Sequence, residues 1–147
     1  MSRFARRIQL TSGPKGAALY ISPASGSFTN GSTVIVTIME NSYSEGVNAV
    51  QANLTYPTNR LTFQSISTTN SNFTTTMQSS GGSGSVQIGV GLLGGSLTGA
   101  QEVARVTFTA NSAGSAPISF AAGSGIARES DATDICKRQT GATYVIT

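Results

Sequence analysis

In the stretch Val47-Asn48-Ala49-Val50-Gln51-Ala52-Asn53-Leu54-Thr55-Tyr56-Pro57, the apolar side chains Val50, Ala52, Leu54 and Tyr56 alternate with Ala49, Gln51, Asn53 and Thr55. A two-residue period puts the two sets on opposite faces of a strand, one packed and one open. Pro57 cannot donate to a ladder and ends it. Upstream, Val34, Val36 and Ile38 alternate with Ile35 and Thr37, which predicts a second strand. Residues 40–46 read as a polar loop between the two. Downstream, Leu61 and Phe63 open a strand from which Ile66 falls out of step, so a bulge is expected near Ser65. Further strands are expected around Phe73, Thr75 and Met77, then around Val86, Ile88 and Val90 after the turn Gly81-Gly82-Ser83-Gly84. Next come Ala104, Val106, Phe108 and Ala110, with Val103, Arg105, Thr107 and Thr109 facing the other way. Ile118 with Phe120, and Tyr144 with Ile146, complete the set. The first apolar patch, Tyr20 to Ser22, is closed by Pro23-Ala24-Ser25-Gly26, read as a turn. About nine short strands without an amphipathic helix predict an all-β fold of two packed antiparallel sheets.

Composition points the same way. Charged residues make up only 10% of the 147 and hydrophobic residues 38%, so polar surface must come from Ser and Thr. Thr beside Val and Ile suits a pleated, half-buried surface. The length predicts one domain with its own core. Four of the nine basic residues (Arg3, Arg6, Arg7 and Lys15) fall within the first fifteen positions, where no acid occurs; five bases then face six acids. Residues 1–17 therefore read as a short basic N-terminal arm and 18–147 as the sandwich domain. With the positive charge confined to an arm, no nucleic-acid partner is expected. No run approaches the roughly 20 apolar residues of a membrane span. No apolar segment follows the charges of residues 1–10, so no signal peptide is expected in this chain.

Several segments, taken in order, resemble cohesin domains. Residues 47–57, continued by Leu61-Thr62-Phe63, are similar to the family's second and third strands. Gly84-Ser85-Val86-Gln87-Ile88 resembles the strand after its glycine turn, and Leu97-Thr98-Gly99 with Val103-Ala104-Arg105-Val106-Thr107-Phe108 resembles the strand opened by a Thr-Gly turn. Ser130-Asp131-Ala132-Thr133-Asp134-Ile135 resembles its late Asp-containing loop, and residues 141–146 its terminal strand. The resemblance covers residues 18–147. It implies a nine-stranded jelly-roll sandwich, one sheet face of which would grip a calcium-loaded dockerin module. Where cellulosomal members carry dockerin-contacting Asn and Asp, this chain has Ala49 and Gln51. An acidic residue frequent between the family's tyrosine and proline is missing, because Tyr56 meets Pro57 directly.

Little in the sequence supports catalysis. Histidine is absent, which removes the commonest general base and any Ser-His-Asp or Cys-His site. Cys136, the single cysteine, has Lys137 and Arg138 beside it; it reads either as a thiol of lowered pKa or as a plain unpaired thiol without a base. Glu129, Asp131 and Asp134 form a loop cluster that could offer oxygens to calcium, the one cofactor considered. Alternatively, Asp131 and Asp134 cap the turn through backbone amides. Tyr43 is the aromatic expected to be exposed, and without Trp a flat platform for sugars is hard to build. Three glycosylation sequons, at Asn30, Asn53 and Asn72, are expected by chance in so Ser/Thr-rich a chain and receive no role.

A non-catalytic, protein-binding or structural module is therefore expected. The first reading is a capsid or virion-surface decoration protein, docked on the major structural protein of an assembly through Arg3, Phe4, Arg6, Arg7 and Ile8, with the arginines pairing to carboxylates. The alternative is a cohesin that binds a dockerin-like partner at the cell surface through Gln51 and Asn53. A carbohydrate-binding module is the third. The expected setting is accordingly a virion or an extracellular surface assembly. Weakly charged strand edges also predict a capacity to form homo-oligomers.

Overall fold

The computed structural model describes residues 16–147, which form twelve strands and, among these residues, no helix. The strands are β1 (Ala17–Ser22), β2 (Ser25–Phe28), β3 (Thr33–Asn41), β4 (Val47–Thr55), β5 (Leu61–Ser67) and β6 (Thr75–Gly82) in the first half. β7 (Ser85–Gly91), β8 (Ala100–Ala110), β9 (Gly114–Phe120), β10 (Gly125–Arg128), β11 (Cys136–Thr140) and β12 (Ala142–Ile146) follow. One sheet has the order β11-β1-β3-β8-β5; the other has the order β2-β12-β9-β4-β7-β6, with β10 also paired to β4.

Twelve elements replace the expected nine because three strand runs are interrupted. At Pro23-Ala24 the chain leaves the five-stranded sheet as β1 and enters the seven-stranded sheet as β2. At Gly141 it makes the same crossing, from β11 to β12. Strands that switch sheets at a bend form the corners of such sandwiches. A Cβ at Gly141 would collide with the Ile118 carbonyl, so the second crossing needs glycine. The third break, residues 121–124, lies between β9 and β10, both of which pair with β4.

Several expectations need correction. The turn read at Pro23-Ala24-Ser25-Gly26 ends early, because Ser25–Phe28 is held as a strand by β12, in parallel. β1 and β11 are also parallel, so each sheet is mixed rather than purely antiparallel. β3 runs on to Asn41 instead of stopping at Met39, since Leu19 and Gln101 continue its ladders on either side. A bulge after Ile38 turns Val103 inward, so it is as buried as Ala104 instead of facing the other way. The bulge expected near Ser65 is present between Phe63 and Ser65. Phe73 is buried but precedes β6, and Met77 sits exposed at a second bulge, between Thr76 and Gln78.

The core lies between the sheets. Val34, Val36 and Ile38 with Val106 and Phe108 face Val50, Ala52, Leu54, Val86, Ile88 and Val90, all of them buried. Each large aliphatic or aromatic side chain removed from water contributes roughly 1.5–3 kcal/mol. Phe108 is clasped by Tyr56 and Phe63, with ring centroids 5.0 and 6.3 Å away. One charged-type residue, Glu40, is buried among the described residues. Glu40 occupies the inward register of β3, fully buried, and neither Oε1 nor Oε2 has a hydrogen-bond partner. Burial pushes its pKa up to about 8.

Candidate protein-binding face

The outer face of the seven-stranded sheet is assembled from β9, β10, β4, β7 and β6. The inward residues of β4 are Val50, Ala52 and Leu54, which leaves Ala49, Gln51, Asn53 and Thr55 pointing out. Register brings Gly91 beside Ala49, Gly89 beside Gln51 and Gln87 beside Asn53. On the next strand Gln78 pairs with Gly89 and Ser80 with Gln87. No Asp, Glu, Lys or Arg occurs anywhere in β4, β6, β7 or β9. The five-stranded sheet, by contrast, carries Glu40, Glu102, Arg105, Lys137 and Arg138.

Four carboxamides cross this neutral face as a connected chain. Gln51 Nε2 donates to Asn53 Oδ1 at 2.8 Å and to Gln78 Oε1 at 2.9 Å. Gln78 Nε2 donates to Gln87 Oε1 at 3.1 Å, and Asn53 Nδ2 to the Ala122 carbonyl at 3.0 Å. Glycine at 89 is what lets Gln51 reach across β7, because a Cβ there would lie 2.8 Å from Gln51 Oε1. Exposed hydrogen bonds of this kind add little stability, since each replaces a bond to water. They do fix four otherwise mobile side chains in one arrangement, which lowers the ordering cost of binding.

The interruption between β9 and β10 belongs to the same face. The pairing shifts from Leu54↔Phe120 to Gln51↔Gly125, so the chain bulges outward over residues 121–124. The Ser124 hydroxyl anchors the bulge. It donates within reach of the Asn53 and Ala121 carbonyls, at 3.1 and 2.9 Å, and accepts from the Asn53 amide at 2.9 Å. Between the bulge and the loop before β11 lies a groove of about 250 Å³, floored by Ala49, Gly125 and Ala127.

Gln51 and Asn53 thus stand together at the centre of the face. The sequence reading missed Gln78 and Gln87. Gln87 sits in the open register of the Val86, Ile88, Val90 alternation and was findable on that basis, whereas the β6 bulge hides Gln78. Arg3, Phe4, Arg6, Arg7 and Ile8 lie outside the described residues. In the acidic loop, Asp131 Oδ1 accepts from the Thr133 amide at 3.1 Å, and its carboxylate pairs with Arg128 at 2.8 Å. The Arg128 hydrogen bond holds the Asp131 pKa well below the usual carboxylate range. Asp134 Oδ1 accepts from the Ile126 and Cys136 amides at 3.1 and 3.0 Å. Both aspartates therefore cap their turns, and among the described residues no group of three metal-ligating side chains converges. The lowered-pKa reading of Cys136 is overturned: burial pushes its thiol up, and Sγ contacts the Arg138 carbonyl at 3.3 Å. Tyr43 is exposed, but its hydroxyl accepts from Arg138 at 2.8 Å and its ring lies 5.8 Å from that guanidinium carbon.

No family model and no curated protein matches the chain. Solved structures do match. The sixth cohesin of scaffoldin B from Acetivibrio cellulolyticus, in complex with a Cel5 dockerin mutant, superposes with a TM-score of 0.74 at 17% identity, covering 90% of this chain and 99% of that one. The seventh ScaB type I cohesin from Pseudobacteroides cellulosolvens gives 0.75 at 14% identity, covering 90% and 92%. A non-cellulosomal cohesin from the archaeon Archaeoglobus fulgidus gives 0.71 at 14% identity, covering 90% and 91%. Described residues 16–147 therefore adopt the cohesin fold.

Proposed function

We propose that the domain is a non-catalytic adhesion module that docks a dockerin-type protein on the outer face of β10, β4, β7 and β6. The observation that carries this reading is the connected carboxamide chain Asn53, Gln51, Gln78, Gln87, set on three strands, β4, β6 and β7, that hold no formally charged residue. Such a face offers rigid hydrogen-bonding groups to another protein and no pair of groups arranged for general acid–base work. The likeness to cohesins solved with dockerins supports the same choice of partner. It favours an extracellular or cell-surface setting over virion decoration, which rested on residues outside the described structure.

The test is calorimetric titration of the full chain with a panel of purified dockerin modules, in calcium and again in excess chelator. Calcium-dependent binding to at least one member is expected. Gln51→Arg should weaken it about a hundredfold, since a charge forced into the middle of a neutral contact must be buried unpaired. Failure of every dockerin to bind, or unchanged binding by the Gln51→Arg chain, would exclude this use of the face.

A further inference from the structure

One carboxylate lines the groove beside the neutral face. Asp134 lines the groove together with Ala49, Gly123, Gly125, Ala127 and Ala132. Its Oδ1 is occupied by the Ile126 and Cys136 amides, which fix the side chain, whereas Oδ2 receives no donor. Gly125 makes room for this atom, because a Cβ there would stand 2.8 Å from Oδ2. Arg128, the basic residue of β10, is committed elsewhere, to Asp131 at 2.8 Å and Glu45 at 3.8 Å. The groove therefore combines a floor of small apolar side chains with a fixed, unneutralised negative charge.

An aliphatic stem ending in a cation matches both features: the methylenes lie over Ala49 and Ala127 while the charged head meets Oδ2. We infer that the docking partner inserts one lysine or arginine side chain into this groove, and that Asp134 sets the partner's orientation on an otherwise uncharged surface. The inference rests on the docking reading above. Charge complementarity at a single point fixes register, because a partner docked in the reversed sense would leave its cation over the carboxamides and Asp134 unpaired.

Two experiments separate this inference from that reading. In the first, amide chemical shifts of the full chain are followed while N-acetyl-arginine methylamide, N-acetyl-lysine methylamide or the neutral isostere N-acetyl-citrulline methylamide is added. Saturable shifts confined to residues 123–127 and 132–134 are expected with the two cations and not with citrulline. Asp134→Asn should abolish them; it keeps the Oδ1 acceptor and hence the turn, which unchanged shifts for the Ile126 and Cys136 amides would verify. In the second, the dockerin selected by calorimetry is titrated against the Asp134→Asn chain, with an expected loss of about tenfold in affinity and a flatter dependence on salt. Equal shifts from citrulline, persistence of the cation shifts in Asp134→Asn, or an unchanged dockerin affinity would each overturn the inference. If no dockerin binds, only the docking reading falls, because the small cations report on the groove alone.

Discussion

Replacing Glu40 with glutamine tests whether a protonated carboxyl is built into the core. In the unfolded chain the group titrates at its ordinary value of 4.5, whereas burial raises it to about 8 in the folded domain. Between those values the folded state holds a proton that the unfolded state has released, so stability falls as pH rises. The group's contribution is fully present below pH 4.5 and is lost progressively up to about pH 8. At roughly 1.4 kcal/mol per pH unit, the loss amounts to about 3 kcal/mol at pH 7 and about 5 kcal/mol above pH 8. Glutamine has the shape of the neutral acid and cannot ionise. Glu40→Gln should therefore match the parent near pH 4 and exceed it by about 3 kcal/mol at pH 7, a rise in Tm of roughly 10 °C for a domain of this size. Urea unfolding followed by circular dichroism at half-unit steps from pH 4 to 8.5 measures this. Parallel profiles for the two proteins, or a Glu40 carboxyl carbon titrating near 4.5 by NMR, would refute the reasoning.

Three further outcomes follow from the packing. Ser124→Ala removes the acceptor of the Asn53 amide and should cost roughly 1–3 kcal/mol, with hydrogen exchange at Asn53 accelerated while Val86 and Ile88 stay protected. Phe108→Ala empties the site clasped by Tyr56 and Phe63 and should cost about 3–5 kcal/mol in chemical unfolding. Gln51→Arg places its charge on an open surface in the unbound protein, so its Tm should stay within about 2 °C of the parent, which separates loss of binding from loss of fold.

The strands that the sequence made legible are those whose own side chains decide their burial. In β4, Val50, Ala52 and Leu54 face a core while Gln51 and Asn53 face out, and no alternative register buries the apolar set. The strands it hid are held by their neighbours. β2 has one large apolar residue, Phe28, and is extended because β12 pairs with it; β11 has Lys, Arg and Gln at three of its five positions and sits on a sheet edge. Bulges account for much of the rest. One turns Val103 inward and another displaces Met77, so period-two reasoning loses phase at both places. The site was legible to the same depth: alternation along one strand exposes Gln51 and Asn53, but only cross-strand register brings Gln78 to them. The buried Glu40 was invisible for a different reason, since a carboxyl next to Asn41 reads as surface until its two flanking ladders are known.

The parallel pairing of the first two and last two described strands bears on how the domain carries a load. β1 lies alongside β11 and β2 alongside β12, so Ala17 sits at one end of the sandwich and Thr147 at the other. Tension applied to those two points in opposite directions slides β1 and β2 past β11 and β12 along their length. The ladder bonds are then stretched together in shear rather than opened one after another like a zip. A module held by a neighbour at each end would for this reason resist extension along that axis.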